Sequence, residues 1–125
     1  MTDLIALYGT LRRDATDPEA PSRAGLVEFV EPCRLTGKLM DLGKYPGFVP
    51  GNEGPVTADL FRIVSPDAFP VFDDWEDYDP ENIASSLYRR EVIRLDAPHV
   101  DAWVYIWNGA PDDGAMVPSG DWFRR

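Results

Sequence analysis

Between positions 73 and 81 the chain places six carboxylates: Asp73, Asp74, Glu76, Asp77, Asp79 and Glu81. One of them differs from the rest in position. If this stretch ends a helix, Glu76 follows the apolar Trp75 directly and lies four positions after Phe72, at the edge of the buried stripe rather than opposite it. A carboxylate there loses water. Desolvation and neighbouring negative charge both favour the neutral acid, which raises the proton affinity toward the range where a Glu accepts and returns a proton near neutral pH. Acidic runs are mostly solvated faces, so Asp73 and Asp74 are read as surface or helix-terminal charges. A calcium loop is a poor fit, because Asp77-Tyr78-Asp79-Pro80 lacks the central glycine and the spaced oxygen ligands of an EF-hand.

A second candidate is Tyr8-Gly9-Thr10-Leu11-Arg12. A glycine at the end of a strand lets the backbone approach a ligand closely, and successive N–H groups in such a turn hold a carboxylate or phosphate. The bland alternative is that Gly9 merely turns the chain. With a single histidine, His99, and a single cysteine, Cys33, catalysis would have to draw on carboxylates, tyrosines, arginines and backbone groups. Those two residues cannot make a structural zinc site or an internal disulfide, and both are read as ordinary.

The elements that must position these groups are short and heavily punctuated. Gly and Pro together number 22 (10 and 12) and are spread along the chain, which leaves little room for ordinary helices. A first strand is expected from Leu4 to near Tyr8, with further strands over Cys33 to Leu42, Val56 to Val64, Tyr88 to Leu95 and Ala102 to Trp107. The last of these is apolar on both faces and reads as covered on each side. Turn signals stand at Tyr45-Pro46-Gly47, Gly51 to Pro55 and Asn108 to Pro111, and Asp14 to Arg23 reads as a loop. One helix is expected. Ser65 is its N-cap and Pro66 its first residue, with Ala68, Val71, Phe72 and Trp75 on one face, unless Pro70 delays the regular part. The expectation is one α+β domain over 1–125: a small mixed, mostly antiparallel β-barrel with one or two short helices.

The charge balance excludes some partners. Twelve basic against 22 acidic residues give a net charge of −10, so there is no footprint for nucleic acid or an anionic membrane surface. No apolar run approaches the roughly 20 residues of a membrane span, and the start does not read as a signal peptide, so a cytoplasmic protein is expected.

Taken in order, the blocks Leu7-Tyr8-Gly9-Thr10-Leu11-Arg12-Arg13, Gly37 to Gly47, Phe72-Asp73-Asp74-Trp75-Glu76 with Tyr88-Arg89-Arg90, Val104-Tyr105-Ile106-Trp107 and Pro118 to Trp122 are similar to those of the gamma-glutamylcyclotransferase-like family. Within that family the chain resembles the short members related to gamma-glutamylamine cyclotransferase. The match extends over most of the chain, and its strength lies in the ordered set rather than in any one block. The strand at Val56 to Phe61 departs from the family pattern by carrying Ala58-Asp59 where Gly-Glu is frequent.

The resemblance implies a reaction without cofactor, metal or thiol. The α-amine of a γ-glutamyl amide or peptide attacks its own γ-carbonyl, giving 5-oxoproline and a free amine. It implies Glu76 as general acid/base, the backbone of Gly9, Thr10 and Leu11 as a cradle for carboxylate or oxyanion, and Tyr8 and Tyr88 as pocket walls or hydrogen-bonding groups. Arg90 is expected to face the site with Tyr88, against the alternative of a structural ion pair. Two other readings fit the same residues: a small-ligand binding module without turnover, and a protein interaction scaffold whose pocket is filled by side chains.

Overall fold

A computed structural model describes residues 2–125. In chain order the elements are β1 (Leu4–Leu7), β2 (Val27–Asp41), β3 (Pro46–Ile63), α1 (Ala68–Trp75), a 3₁₀ turn (Ile83–Ser85), β4 (Tyr88–Arg94), β5 (Asp101–Trp107), β6 (Ala115–Met116) and a second 3₁₀ turn (Trp122–Arg124). The six strands form one mixed sheet in the order β4-β5-β1-β3-β2-β6. Only the β1–β5 pair is parallel, and the other pairs are antiparallel.

Backbone bonds between distant parts of the sheet show that it curls. The N–H of Arg34 on β2 donates to the carbonyl of Ala97, just beyond β4, at 2.8 Å, and the Asp96 N–H donates to the Arg34 carbonyl at 2.9 Å. Since β4 lies at one edge and β2 next to the other, these bonds require the sheet to bend most of the way around. The result is a partly closed barrel of the expected α+β class.

Strand alternation then sorts the side chains into an inside and an outside. Ala6 and Tyr8, with Ala102, Val104 and Ile106 of β5, pack inside with Leu35, Leu39, Phe48 and Val56. Their neighbours Ile5, Leu7 and Tyr105 point outward, where Ala68 and Phe72 of α1 cover them. Burying Phe72 in this way stabilises the fold by roughly 1.5–3 kcal/mol, and it fixes the rotation of α1 on the sheet.

Three local expectations need correction. First, β2 begins at Val27 rather than Cys33, because β3 supplies pairing partners as far as Val27↔Ile63, past an irregularity between Phe29 and Glu31. Second, the chain reverses at Leu42 to Tyr45, where the Leu42 N–H donates to the Tyr45 carbonyl. Pro46 already opens β3, a first position that lacks no needed donor. The glycines at 51 and 54 mark an extruded bulge, since Thr36 pairs with Pro55 while Gly37 pairs with Pro50. Third, α1 starts at Ala68 with Asp67 before it; Ser65 Oγ accepts from the Asp67 N–H without capping the helix. Pro70 is then its third residue, in the turn whose N–H groups have no intrahelical acceptor, so it costs no helix bond. No helix among the described residues is long and apolar enough to cross a membrane.

Candidate active site

A cavity of about 230 Å³ opens where β1 ends, between the loop that follows it and the C-terminal end of α1. Its walls include Leu7 to Leu11, Tyr45, Pro46, Trp75, Glu76, Tyr88 and Tyr105, with the exposed Asp17, Glu19, Lys44 and Asp77 also lining it. A pocket filled by side chains, as the interaction scaffold requires, is therefore not what the fold builds.

The loop leaves β1 and closes a turn in which the Arg12 N–H donates to the Gly9 carbonyl at 3.0 Å. Gly9 passes so close to Pro46 that an added Cβ would stand 2.7 Å from its Cγ. A side chain there would have to displace a residue whose carbonyl accepts the Tyr88 hydroxyl. Across from this contact, Thr10 Oγ1 accepts from Trp75 Nε1 at 2.9 Å, which ties the loop to the helix. The N–H groups of Gly9, Thr10 and Leu11 donate to no partner among the described residues. Three successive free donors at a cavity wall are suited to a carboxylate or a developing oxyanion.

Glu76 is held by the way α1 stops. Its N–H donates to the Phe72 carbonyl at 2.8 Å, and the chain then turns through Asp77 at φ 54°, with the Tyr78 N–H returning to the Asp73 carbonyl at 2.9 Å. This is a Schellman closure, in which a left-handed residue after the cap satisfies the last helical carbonyls. Asp77 fills a position usually taken by glycine. Glu76 is half-buried, and its carboxyl takes part in no hydrogen bond or ion pair among the described residues. Desolvation first, and the Asp73 charge second, push its pKa up to about 8. The carbonyl end of the helix acts in the same direction, since it disfavours negative charge.

Tyr8, Tyr88 and Tyr105 surround this carboxyl, and their hydroxyls are already used. Tyr8 donates to the Tyr105 carbonyl and accepts from the Phe48 N–H at 3.2 Å, Tyr88 donates to Pro46, and Tyr105 donates to Asp73 Oδ1 at 2.6 Å. Burial pushes all three phenols above the usual tyrosine range, and the Glu76 charge adds to the rise in each. They are neutral walls around a carboxyl that is itself pushed toward its neutral form.

Two charged residues of the sequence reading, Arg90 and Asp73, meet each other here. Arg90 shares the face of Tyr88 as the register requires, yet one pleat further along β4 it reaches Asp73 and not the cavity. Its Nε and second guanidinium nitrogen donate to the two Asp73 oxygens at 3.0 and 3.1 Å. The guanidinium also lies 3.7 Å from the Phe69 ring centre. Asp73, expected as a surface or helix-terminal charge, does stand in the last turn of α1, but as a largely buried acceptor for Arg90 and Tyr105. Its place three residues before Glu76, on the same helical side, was the signal that links the two carboxylates. The pairing of Trp75 with Thr10 left no comparable trace, because it joins segments 65 residues apart.

A family model described as Gamma-glutamyl cyclotransferase, AIG2-like matches residues 5–124. The gamma-glutamylcyclotransferase family protein YtfP of Escherichia coli (strain K12) is 32% identical over 121 residues, covering 97% of this chain and 96% of that one. The solution structure of E. coli YtfP has a TM-score of 0.68 to this fold at 27% identity, over 95% of each chain. The crystal structure of an AIG2-like protein from Mus musculus shares the fold at a TM-score of 0.69 and 20% identity, over 93% of this chain and 86% of that one. With the family match running nearly end to end, the chain belongs to the gamma-glutamyl cyclotransferase, AIG2-like family.

Proposed function

We propose that the protein is a cyclotransferase that releases 5-oxoproline and a free amine from a γ-glutamyl amide or peptide. One observation carries the reading. A desolvated carboxyl, Glu76, lines the same cavity as three successive backbone N–H groups, and neither it nor they have a hydrogen-bond partner among the described residues.

In this reading the cradle of Gly9, Thr10 and Leu11 grips the anionic end of the glutamyl group or the oxygen that gains charge during attack. The α-nitrogen forms a bond to the γ-carbonyl carbon, and the bond from that carbon to the leaving nitrogen breaks. Glu76 takes one proton from the α-ammonium, which frees the attacking lone pair, and delivers it to the leaving nitrogen; the second proton, shed as the attacking nitrogen becomes the lactam N–H, passes to the released amine, which departs as an ammonium. An α-amino group titrates at roughly 7.7–8.0 in peptides, and Glu76 is pushed up to about 8, so this exchange is close to thermoneutral. Attack within one molecule supplies much of the rate, since well-oriented intramolecular reactions reach effective molarities of about 10⁵ M or more. The walls of Tyr8 and Tyr88 keep the glutamyl chain folded in a dry space. Arg90 acts through Asp73 and has no direct contact with substrate.

The test is a panel of γ-glutamyl amides with 5-oxoproline read by mass spectrometry. Turnover of at least one member is expected, with kcat for Glu76→Gln lower by about 10²- to 10⁴-fold. A Glu76→Gln variant that forms 5-oxoproline at the parental rate would remove Glu76 from the mechanism. Saturable binding of glutamyl compounds with no product over hours would favour the binding module instead.

A further inference from the structure

Resting on the reading of Gly9, Thr10 and Leu11 as the cradle, we propose that Arg12 and Arg23 are positioning residues, two guanidiniums that brace this loop from the side away from substrate. A loop that offers three free N–H groups has no bonds through those groups to hold its own shape. Something else must fix it, and the structure supplies two cations that do so by different means.

Arg12 works through its side chain. It is 8% exposed, with one terminal nitrogen donating to Asp121 Oδ1 at 2.7 Å and Nε near Asp59 Oδ2 at 3.5 Å. Phe123 covers the guanidinium, its ring centre 4.1 Å away. Asp59 Oδ2 also accepts the Arg13 N–H at 2.9 Å, and Asp59 itself pairs with Leu7 across the β1–β3 ladder. The strand before the loop and the residue after it are thus referred to one carboxylate. A buried cation between two carboxylates tolerates few geometries, because any that leaves a charge unpaired is costly.

Arg23 works through carbonyls. Its two terminal nitrogens donate to the Leu11 carbonyl at 3.0 Å and the Arg13 carbonyl at 2.9 Å. A planar fork that bridges two carbonyls of alternate residues sets the orientation of both peptide planes. With the Gly9 carbonyl taken by the Arg12 N–H, the acceptors of residues 9, 11 and 13 are all engaged, whereas the donors of residues 9 to 11 are not. The loop is held by its acceptors, and its donors stay available.

The experiment uses the full chain as Arg23→Gln, Arg23→Lys and Arg12→Lys, with two separate readouts. The first needs no ligand: ¹⁵N order parameters of Gly9 to Leu11. These are expected to fall from about 0.85 to below about 0.6 in Arg23→Gln while the rest of the sheet is unchanged, with only partial recovery in Arg23→Lys, whose single nitrogen cannot bridge two carbonyls. The second is a 5-oxoproline titration followed at the same amides, with affinity expected to fall about tenfold, as loss of preorganisation predicts. Order parameters at the parental level in both Arg23 variants would overturn the brace. A loosened loop combined with no 5-oxoproline shift at these amides in the parent would support the brace and sink the cradle reading. Should Arg12→Lys fail to fold, the Arg23 pair still decides.

Discussion

The end of α1 and the underside of the loop after β1 both bury carboxylates, and they treat them in opposite ways. Beneath the loop, Asp59 and Asp121 share the Arg12 guanidinium and accept backbone N–H groups from Arg13 and Phe123. At the helix end, Glu76 has no cation and no donor among the described residues, and its nearest influences are apolar rings and the Asp73 charge. The same functional group is structural in one place and, in the proposed reading, moves a proton in the other. Partners decide the difference: a carboxylate with a cation and N–H donors keeps its charge, whereas a partly buried one without them is pushed toward the neutral acid. Asp73 makes the contrast within a single turn of helix, because Arg90 and Tyr105 supply it with three donor bonds.

This contrast can be broken at the loop side first, where the largest effect on stability is expected. Arg12→Met leaves the buried Asp59 without its cation and Asp121 with only the exposed Arg124 at 3.7 Å, and should cost about 3–5 kcal/mol. Urea denaturation reads it, and a loss below 1 kcal/mol would mean the cluster is not a structural partnership.

Glu76→Gln should move in the other direction. The folded-state pKa of Glu76, about 8, lies above its ordinary value of 4.5, so between these pH values the folded protein binds more protons than the unfolded chain. Parental stability therefore falls as pH rises from about 4.5 through about 8, and the glutamine variant escapes that fall. After discounting for partial exposure, the variant should be more stable by about 3 kcal/mol at pH 9 and nearly equal at pH 4. Parallel stability curves for the two proteins would contradict the desolvated carboxyl.

A change at Asp73 tests how the two carboxylates of α1 are coupled. Asp73→Asn removes charge-assisted bonds to Arg90 and Tyr105, at about 2 kcal/mol. It also removes the negative neighbour of Glu76, so the rising limb of the pH profile of kcat/KM should move to lower pH. A limb that stays in place would leave desolvation as the sole cause of the shift.

The smallest effect belongs to the residue that closes the helix. Asp77→Gly relieves a left-handed backbone position and should stabilise the fold by about 1 kcal/mol, read as a raised Tm with Glu76 chemistry retained. A drop in activity with that gain in Tm would show that Asp77 itself serves the cavity.

Much of this arrangement was legible in the chain. The stretch from Ala102 to Trp107, apolar on both faces, marks a strand covered on each side, and the spacing of Ala68, Val71, Phe72 and Trp75 marks the face of α1, because both depend on local periods. The ends of β2 and the path of residues 46–55 were not legible, since they follow from what β3 offers as a pairing partner. For the same reason the sequence shows Asp73 only as a surface or helix-terminal charge and not its burial: the donors to its carboxylate, Arg90 and Tyr105, come from β4 and β5.

The sequence by itself determined the strand and helix periods, the scarcity of His and Cys, and the candidacy of Glu76 beside a buried stripe. It also carried the ordered blocks that mark the family. Only the tertiary structure decided which carboxylates are paired and which is alone, because pairing joins residues 17 to 109 positions apart. Curling the sheet brings Arg12 to Asp121 and Arg90 to Asp73, and it leaves Glu76 at a cavity wall without an ion-pair partner among the described residues.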